Sequence, residues 1–346
     1  MTAETKPAKN AIALDAMGGD NMPEAAISGA LQAINKGIAV VLVGDEARLT
    51  SALAAQGHTL GSSQLLQVQH AADAIGMTDH ATDVRRRKDS SIMVAMKLVK
   101  EGQAAACVSM GHSGATMAAA LFVLGRLKGV ERPAILANIP TRTGFSALID
   151  AGANADCRAR HLQQFAVMGS LYARDIYGLE RPSVGLMSIG EEEEKGNELS
   201  REAFGLLKTT ENIHFYGNVE GRDLLRGTTD VIVCDGFTGN VTLKVAEGEA
   251  KELFRWIREA LTSSGLLIKL AAKIAKPALR KVADKLDPAE YGAQPLLGVR
   301  GYAFIGHGSA DARAVASALN TAQTLVQAKL LEKIVAGVEK LEPQTV

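Results

Sequence analysis

The chain has 346 residues, of which 47% are hydrophobic and 22% are charged, a balance typical of a globular protein with one large or two small domains. The 38 Lys and Arg residues equal the 38 Asp and Glu residues in number, so the formal net charge is +0. Because no overall field attracts a polyanion, we expect no nucleic-acid partner. The three cysteines (107, 157 and 234) are far apart, which argues against a disulfide framework or a zinc site and favours a reducing compartment.

The N-terminal stretch MTAETKPAKN is polar and lacks the apolar core of a signal peptide. We expect residues 1–10 to form a disordered tail. No uninterrupted apolar run in the sequence approaches the roughly 18 residues that a membrane span needs. These patterns together predict a cytoplasmic protein.

Short β-rich runs alternate with longer helical patterns along the chain, which predicts a doubly wound, mostly parallel α/β sheet. The predicted strands cover residues 11–15, 39–43, 65–69, 105–109, 183–189, 230–235 and 302–307. Helical patterns between them include PEAAISGALQAI, SSIMVAMKLVKEG and HLQQFAVMGSLYARDIYG. The runs PAILANIP and GFSALIDAG are separated by TRTG, which predicts an antiparallel hairpin. We expect one α/β domain over residues 11–340.

Residues 252–288 have no strand pattern and predict a helical hairpin inserted in that domain, with a turn at Ser263–Gly265. Its second helix places Leu267, Leu270, Ala271 and Ile274 on one face. Cations occupy the other faces, at Lys269, Lys273, Lys276, Arg280, Lys281 and Lys285. A basic amphipathic helix of this kind can lie on an anionic membrane or bind an acidic partner. The alternative is a surface helix that packs on its own protein or on a second subunit.

Six glycine-rich turns follow predicted strands, and each carries Ser, Thr, Asn, Asp or His. They are DAMGGD (15–20), SMGHSGA (109–115), DAGANAD (150–156), IGEEEEKGNE (189–198), DGFTGN (235–240) and GHGSAD (306–311). Ligands bind at the carboxyl ends of parallel strands, so we expect these turns to line one cleft. Free N–H groups at helix N-termini and polar side chains suit an anion such as phosphate.

Several common kinds of binding and catalytic site are excluded because their sequence motifs are absent. The sequence has no GxGxxG after a strand, no GxxxxGK[ST], no GxSxG and no HxxxH or HxxEH, so we expect neither a metal nor a cofactor. The run RRRKDSS (85–91) could close over a phosphate or be an exposed basic turn. The acidic run 191–194 is typical of a solvated loop. Cys234 is expected to be a small buried residue rather than a nucleophile.

In their order along the chain, these motifs resemble the bacterial phosphate acyltransferase family, the acyl-ACP:phosphate acyltransferases of phospholipid synthesis. The resemblance runs from about Ile12 to Lys333. The matching segments are ALDAMGGD, VRRRKDSSI, ALFVLGRLKGVERPA, DAGANAD, KGNEL, FYGNVEGRDLL, VCDGFTGNVTLK, YGAQPLLGV and HGSADARAV. The chain departs from the family at SMGHSGA, where Met110, His112 and Ser113 stand in place of Ala, Asn and Thr.

The resemblance implies that long-chain acyl-ACP and inorganic phosphate react to acyl-phosphate and free acyl carrier protein (ACP), without a cofactor. It also implies a fold similar to phosphotransacetylase and to isocitrate and isopropylmalate dehydrogenases, usually in a homodimer. The family's hairpin is linked with the membrane, which implies a peripheral location at its inner face and a downstream membrane acyltransferase that uses acyl-phosphate. The alternatives are a CoA-dependent phosphotransacylase and a non-catalytic membrane-binding scaffold.

Candidate site residues follow from the turns and this reaction. Phosphate or substrate would be bound by Gly18, Gly19, Lys88, Ser109, His112, Ser113, Gly114, Asn154, Thr238 and His307. Catalytic roles, as donors to the carbonyl oxygen or as groups that orient donors or move a proton, would fall to Asp15, Asp20, Lys195, Asn197, Asp235 and Asn240. Membrane or ACP would be contacted by Leu267, Lys269, Leu270, Lys273, Ile274 and Arg280. Substituting Ser113 or Asn154 is expected to weaken the use of phosphate.

Overall fold

A computed structural model describes residues 10–142 and 144–341. Its centre is one eleven-stranded sheet with the strand order β3-β2-β1-β4-β11-β10-β5-β6-β9-β7-β8. The strands are β1 (Ile12–Asp15), β2 (Val40–Gly44), β3 (Leu66–His70), β4 (Ala106–Ser109), β5 (Ala134–Pro140), β6 (Phe145–Ile149), β7 (Ser183–Met187), β8 (His214–Val219), β9 (Val231–Val233), β10 (Ala293–Leu297) and β11 (Tyr302–Gly306).

Helices cover both faces of the sheet. They are α1 (Glu24–Ile34), α2 (Glu46–Ala55), α3 (Ser91–Lys100), α4 (Ser113–Val123), α5 (Ala159–Ile176), α6 (Glu198–Lys208), α7 (Asp223–Arg226), α8 (Gly236–Ser263), α9 (Leu266–Leu286), α10 (Ala312–Gln327) and α11 (Leu330–Glu339). Successive strand residues point to opposite faces. Ile12 and Leu14 accordingly pack in one core with α1, α5 and α10, whereas Ala13 packs in a second core with α3 and α4.

The direction of the strands changes within the sheet. From β3 to β11 in the sheet order every pairing is parallel. The next three pairings, β11–β10, β10–β5 and β5–β6, are antiparallel. From β6 to β8 the pairings are parallel again. Three reversals leave β6, β7, β8 and β9 running opposite to β1, β2, β3, β4 and β11.

This reversal corrects the expectation of one common cleft. The carboxyl ends of β1, β4 and β11 lie at one edge of the sheet, and those of β6, β7 and β9 lie at the opposite edge. The six glycine-rich turns therefore form two groups of three. Alternation of strands and helices in the sequence cannot reveal this, because one of the three antiparallel pairings joins β10 to β5, which lie far apart in the chain.

The predicted fold class is confirmed: the sheet is doubly wound and mostly parallel, and β5 and β6 form the antiparallel hairpin. All predicted strands are present, with ends shifted by one or two residues. Two strands were missed. The edge strand β8 has only half-buried and exposed residues in its first four positions, and β10 contains Pro295, which weakens a strand pattern.

Helices α8 and α9 form the protruding helical hairpin, with the break at Ser264 and Gly265. The expectation that α8 begins near Glu252 is wrong, because it already starts at Gly236. No described residue of α9 is buried, and Leu267 is 83% exposed. At the base, Lys285 Nζ donates to the Thr141 carbonyl at 2.6 Å. Among the described residues, no helix is long and apolar enough to cross a membrane. The tail expected at residues 1–10 lies outside the described residues, except for Asn10.

Candidate active site

The turns after β1, β4 and β11 meet at one edge of the sheet, and we call residues 15–20, 109–114 and 306–309 the α4 loop cluster. The Asp20 backbone N–H donates to the Gly308 carbonyl at 2.8 Å. A Cβ added to Gly18 would lie 3.1 Å from Gly111 Cα, so only glycine permits this close approach. The predicted residues Gly18, Gly19 and Asp20 are thus brought next to the N-terminus of α4.

Asp15 and Ser109 organise the interior of the α4 loop cluster. Asp15 accepts hydrogen bonds from the Met17 and Gly18 N–H groups at 3.3 and 3.2 Å and from Ser109 Oγ at 2.8 Å. Burial raises the pKa of Asp15, although these hydrogen bonds oppose the shift. The buried Ser109 hydroxyl donates its only proton to Asp15, so that proton is not free for a phosphate. Both side chains hold the turn in place.

His112 caps α4, and its Nδ1 accepts a hydrogen bond from the Ala115 N–H at 3.2 Å. In the neutral ring the proton then lies on Nε2, which can act as a donor. Ser113 and Gly114 follow in the first turn of α4, where N–H groups of the helix are free. This part of the cluster keeps the features of an anion site.

The basic run before α3 has a structural role at Arg87. Its guanidinium donates to Asp73 at 2.6 Å and to Asp79 at 2.6 Å. The pKa of Asp73 is lowered by the hydrogen bonds from Arg87, and the pKa of Asp79 by those from the Gly76 N–H and Arg87. Lys88 is exposed, and no ion pair among the described residues joins its side chain to the α4 loop cluster.

The turns after β6, β7 and β9 meet at the opposite edge, and we call residues 150–157, 188–198 and 234–240 the α8 loop cluster. The Gly236 N–H donates to the Asn154 carbonyl at 2.7 Å. A Cβ added to Gly152 would lie 3.5 Å from the Asn240 side chain, so Asn240 is in contact with this turn. The first turn of α8 is therefore seated directly on the DAGANAD turn.

Asp150 is the buried centre of the α8 loop cluster, and sequence reasoning missed its importance. It accepts hydrogen bonds from four backbone N–H groups, at positions 135, 152, 153 and 154, over 2.8–3.1 Å. The Asn154 amide donates to Asp150 at 2.8 Å and to the Pro133 carbonyl at 2.7 Å. Burial raises the pKa of Asp150 against these hydrogen bonds. The Asn154 amide is thus engaged in the fold rather than directed at a ligand.

Helices α5, α6 and α8 contribute residues near their N-termini to a cavity of about 370 Å³ in this cluster. Asn197 caps α6 by accepting from the Ser200 N–H at 2.9 Å, and its Nδ2 makes no hydrogen bond with any described residue. Asp235 caps α8 by accepting from Thr238 N and Oγ1, each at 2.8 Å. The capping residues of α6 and α8 both line this cavity, so two positive helix-dipole ends meet there and favour an anion.

Lys195 is on the loop that leads to α6, directly before Gly196, which lines this cavity, and its own side chain lines an adjoining pocket with Glu191, Glu192 and Arg222. Glu191 pairs with Arg222 at 3.3 Å and Glu193 with Lys208 at 2.8 Å, whereas Glu192 and Glu194 form no ion pair with a described residue. The Lys195 ammonium is exposed and makes no ion pair with a described residue. A cation without an ion pair beside the cavity adds to the attraction of this region for an anion.

Helix α8 connects the two clusters. It begins in the α8 loop cluster, and its Glu247 Oε1 lies 3.3 Å from His307 Nε2 of the α4 loop cluster. Burial acts to raise the pKa of Glu247, but hydrogen bonds from His307 and Lys244 outweigh it and lower this pKa to about 2. Nine residues separate Thr238 from Glu247, or about 14 Å along the helix. That distance is too long for Thr238 and Glu247 to contact one phosphate.

Two other candidate chemistries find little support. Carboxylate oxygens of Glu191, Glu220 and Asp223 lie within 4.8 Å of one another, but Arg222 and Arg226 already pair with this group. Burial raises the pKa of the Cys234 thiol well above its usual value, which keeps it protonated. A protonated, buried thiol is a poor nucleophile.

Solved structures of phosphotransacetylases share this α/β fold. EutD phosphotransacetylase from Staphylococcus aureus has a TM-score of 0.59 at 16% identity and covers 93% of this chain and 96% of its own. A branched-chain phosphotransacylase from Enterococcus faecalis V583 has a TM-score of 0.56 at 15% identity. The match covers 91% of this chain and 99% of that protein. At these identities the similarity establishes the fold alone.

The family model of the fatty acid synthesis proteins matches residues 10–333. A phosphate acyltransferase of Thermus thermophilus is 56% identical over 323 residues, which cover 93% of this chain and 97% of the relative. A phosphate acyltransferase of Pelotomaculum thermopropionicum is 48% identical over 333 residues and 96% of each chain. The chain therefore belongs to the phosphate acyltransferase family, as its motifs predicted, and it is an acyltransferase.

Proposed function

We propose that this enzyme transfers the acyl group of an acyl-ACP thioester to inorganic phosphate for phospholipid synthesis, and that the reaction takes place in the α8 loop cluster. The observation that carries this location is the cavity lined by the N-caps of α6 and α8, with Lys195 in the adjoining pocket. The names of the relatives support phosphate as the acceptor. The α4 loop cluster, with the free first turn of α4, is the alternative location.

Phosphate binds first in this scheme, as a dianion held by helix N–H groups, Asn197 Nδ2 and Lys195. One phosphate oxygen then attacks the thioester carbonyl carbon, so that a C–O bond forms and the C–S bond breaks. The dianion needs no general base, and the departing ACP thiolate takes its proton from solvent. Holding both reactants in line can supply a large part of the roughly 7–11 kcal/mol available from orientation.

The tetrahedral intermediate carries a negative oxygen that requires donors. Lys195, on the loop before α6, and Asn240, near the start of α8, are the proposed donors to this oxygen. Asp235 engages Thr238 in the cap of α8 and is therefore a positioning residue. Asp150 and Asn154 have the same kind of role, because they seat the turn on which Gly236 packs.

The first experiment is mass-spectrometric detection of acyl-phosphate after the purified protein is mixed with phosphate and palmitoyl-ACP, with palmitoyl-CoA in parallel. We expect palmitoyl-phosphate from the ACP thioester. Product from the CoA thioester alone would instead indicate a CoA-dependent phosphotransacylase. No product from either thioester would contradict the proposal and favour a non-catalytic scaffold.

The proposed dimer rests on an exposed stripe of α8. Phe237, Val241 and Val245 follow one another at four-residue spacing and are 66%, 47% and 61% exposed. Residues four apart share one face of a helix, so the three side chains form one apolar patch beside the α8 loop cluster. Such a patch is typical of a subunit interface. We propose that a second copy of the chain covers it.

The proposed membrane contact rests on α9, at the inner face of the cytoplasmic membrane, where a downstream membrane acyltransferase would receive acyl-phosphate. The exposed Leu267, Leu270 and Ile274 would enter the lipid, while Lys269, Lys273 and Arg280 would meet anionic head groups. ACP docking on the same cations is the alternative, because ACP binding needs the charges but not the leucines.

Replacing Leu267 by glutamate is expected to weaken binding to anionic phosphatidylglycerol vesicles by about tenfold or more, because burial of one leucine contributes about 1.5–3 kcal/mol. Vesicle co-sedimentation measures the change. Ala54→Glu, on the exposed side of α2, adds the same charge far from α9 and should bind like the wild type. Equal binding of Leu267→Glu and wild type would contradict the membrane contact.

A further inference from the structure

An apolar slot lies between α8 and the strands β5 and β10, outside the polar site described above. Its lining includes Ala137 and Ile139 of β5, Leu243, Ala246 and Ala250 of α8, and Leu286 at the end of α9. Most of its exposed lining is carbon. The slot thus differs in character from the cavity near the three helix N-termini.

The slot and the α8 loop cluster are both bordered by the same side of helix α8. Asn240, Leu243, Ala246 and Ala250 recur at three- and four-residue intervals, so they lie along one side of α8. From Asn240 to Ala250 the helix rises about 15 Å. The proposed carbonyl site therefore stands at one end of the slot, and the base of the α8–α9 hairpin stands at the other.

Most polar groups that border the slot already have partners, and the exception among the described residues is the Gln294 side chain, which makes no hydrogen bond there. Glu247 is paired with His307 at 3.3 Å and with Lys244 at 2.8 Å. Asn138 Nδ2 donates to the Tyr172 hydroxyl at 3.0 Å. A ligand in the slot is consequently offered mainly apolar contacts rather than free donors or acceptors, which selects a hydrocarbon over a polar molecule.

Helix α8 is held firmly only at its start. Its buried residues are Gly236, Gly239 and Leu243, and Ala246 and Ala250 beyond them are half-buried. A chain of methylenes that entered between α8 and β5 would bury these alanines and contact Ile139, which is already buried. The slot has a volume of about 80 Å³ in this structure, so a long chain would enter only as α8 moves away from β5, and larger residues at these two positions would fill the space.

We propose that this slot binds the alkyl chain of the acyl thioester, with the chain running along α8 from Asn240 toward Leu286. This inference rests on the proposed function, because it requires the thioester carbonyl to lie in the α8 loop cluster. Positions 246 and 250 would then determine the length of chain that the enzyme accepts.

The test is the chain-length profile of Ala246→Phe and Ala250→Phe with octanoyl-, dodecanoyl- and palmitoyl-ACP. We expect kcat/KM for palmitoyl-ACP to fall at least tenfold relative to that for octanoyl-ACP, because each methylene denied burial is worth about fourfold. Ala260→Phe is the matched control, since Ala260 is exposed on the same helix beyond the slot, and should keep the wild-type profile. Thermal unfolding verifies that each variant folds.

A second measurement needs no variant. Palmitoyl-ACP with a diazirine at the chain terminus should label wild-type peptides that contain residues 246–250 or Leu286. Labelling elsewhere, or folded variants with a wild-type profile in an active enzyme, would overturn the slot while leaving the proposed function intact. A wild-type enzyme that makes no acyl-phosphate from any of the three thioesters would overturn the proposed function itself.

Discussion

Replacing Lys195 by alanine is expected to lower kcat/KM for acyl-phosphate formation by about a hundredfold to a thousandfold, the range for loss of one preorganised donor to a tetrahedral oxyanion. The ammonium makes no ion pair with any described residue, so its removal leaves no buried charge behind. Stability should be unchanged for the same reason. Steady-state kinetics with palmitoyl-ACP, together with the unfolding midpoint, measure both effects.

Two comparison variants make this result specific. Lys208→Ala removes another exposed lysine, on the neighbouring α6 and paired with Glu193, and should keep nearly full activity. Ser113→Ala tests the alternative location at the first turn of α4. An inactive Ser113→Ala enzyme beside an active Lys195→Ala enzyme would move the reaction to the α4 loop cluster and refute our assignment.

Replacing Gly239 by alanine is expected to destabilise the protein by about 3 kcal/mol, at the upper end of the range for overpacking. The added Cβ would lie 1.9 Å from the Asp150 carbonyl oxygen and 3.0 Å from Cys234 Sγ. Because the nearest atom belongs to the backbone, the contact cannot be relieved by rotating a side chain. Helix α8 would have to move off the DAGANAD turn, so we also expect activity to fall. Urea denaturation measures the free energy of unfolding.

Gly248→Ala is the matched control on the same helix. No atom lies within 4 Å of the added Cβ there, so the variant should gain up to about 1 kcal/mol from the higher helix propensity of alanine. Opposite signs for the two substitutions would confirm that α8 is seated through Gly239. If both variants were equally stable, the close contact between α8 and Asp150 would be wrong.

Much of the fold could be predicted because the signals are local. The runs IALD and ACVS are wholly buried strands, and each is apolar throughout except for its last residue. The turn TSSG ends one helix of the hairpin and begins the next, as predicted. The start of α8 was missed because its buried face there consists of Gly236 and Gly239, which weaken a helical pattern.

Side-chain roles were harder to predict than turns. The pattern DAGANAD singled out Asn154 as a ligand, yet its amide is engaged by Asp150 and by Pro133. Ser109 likewise donates to Asp15. In both turns the polar residue satisfies a buried neighbour, and a sequence does not show which partner is within 3 Å. Asp15 and Asp150, which start the turns DAMGGD and DAGANAD, were the better indicators of a buried, hydrogen-bonded centre.

The sequence by itself determined the elements, the polar glycine turns after the strands and, through the order of its motifs, the family. These features depend on residues within one short segment or on matches along the chain. Only the tertiary structure decided which turns meet. Strand β10 (Ala293–Leu297) pairs with β5 (Ala134–Pro140) in antiparallel fashion, and this contact and its neighbours reverse half of the sheet. Pairing direction is set by packing between distant segments, so a predicted single cleft became two clusters joined by α8.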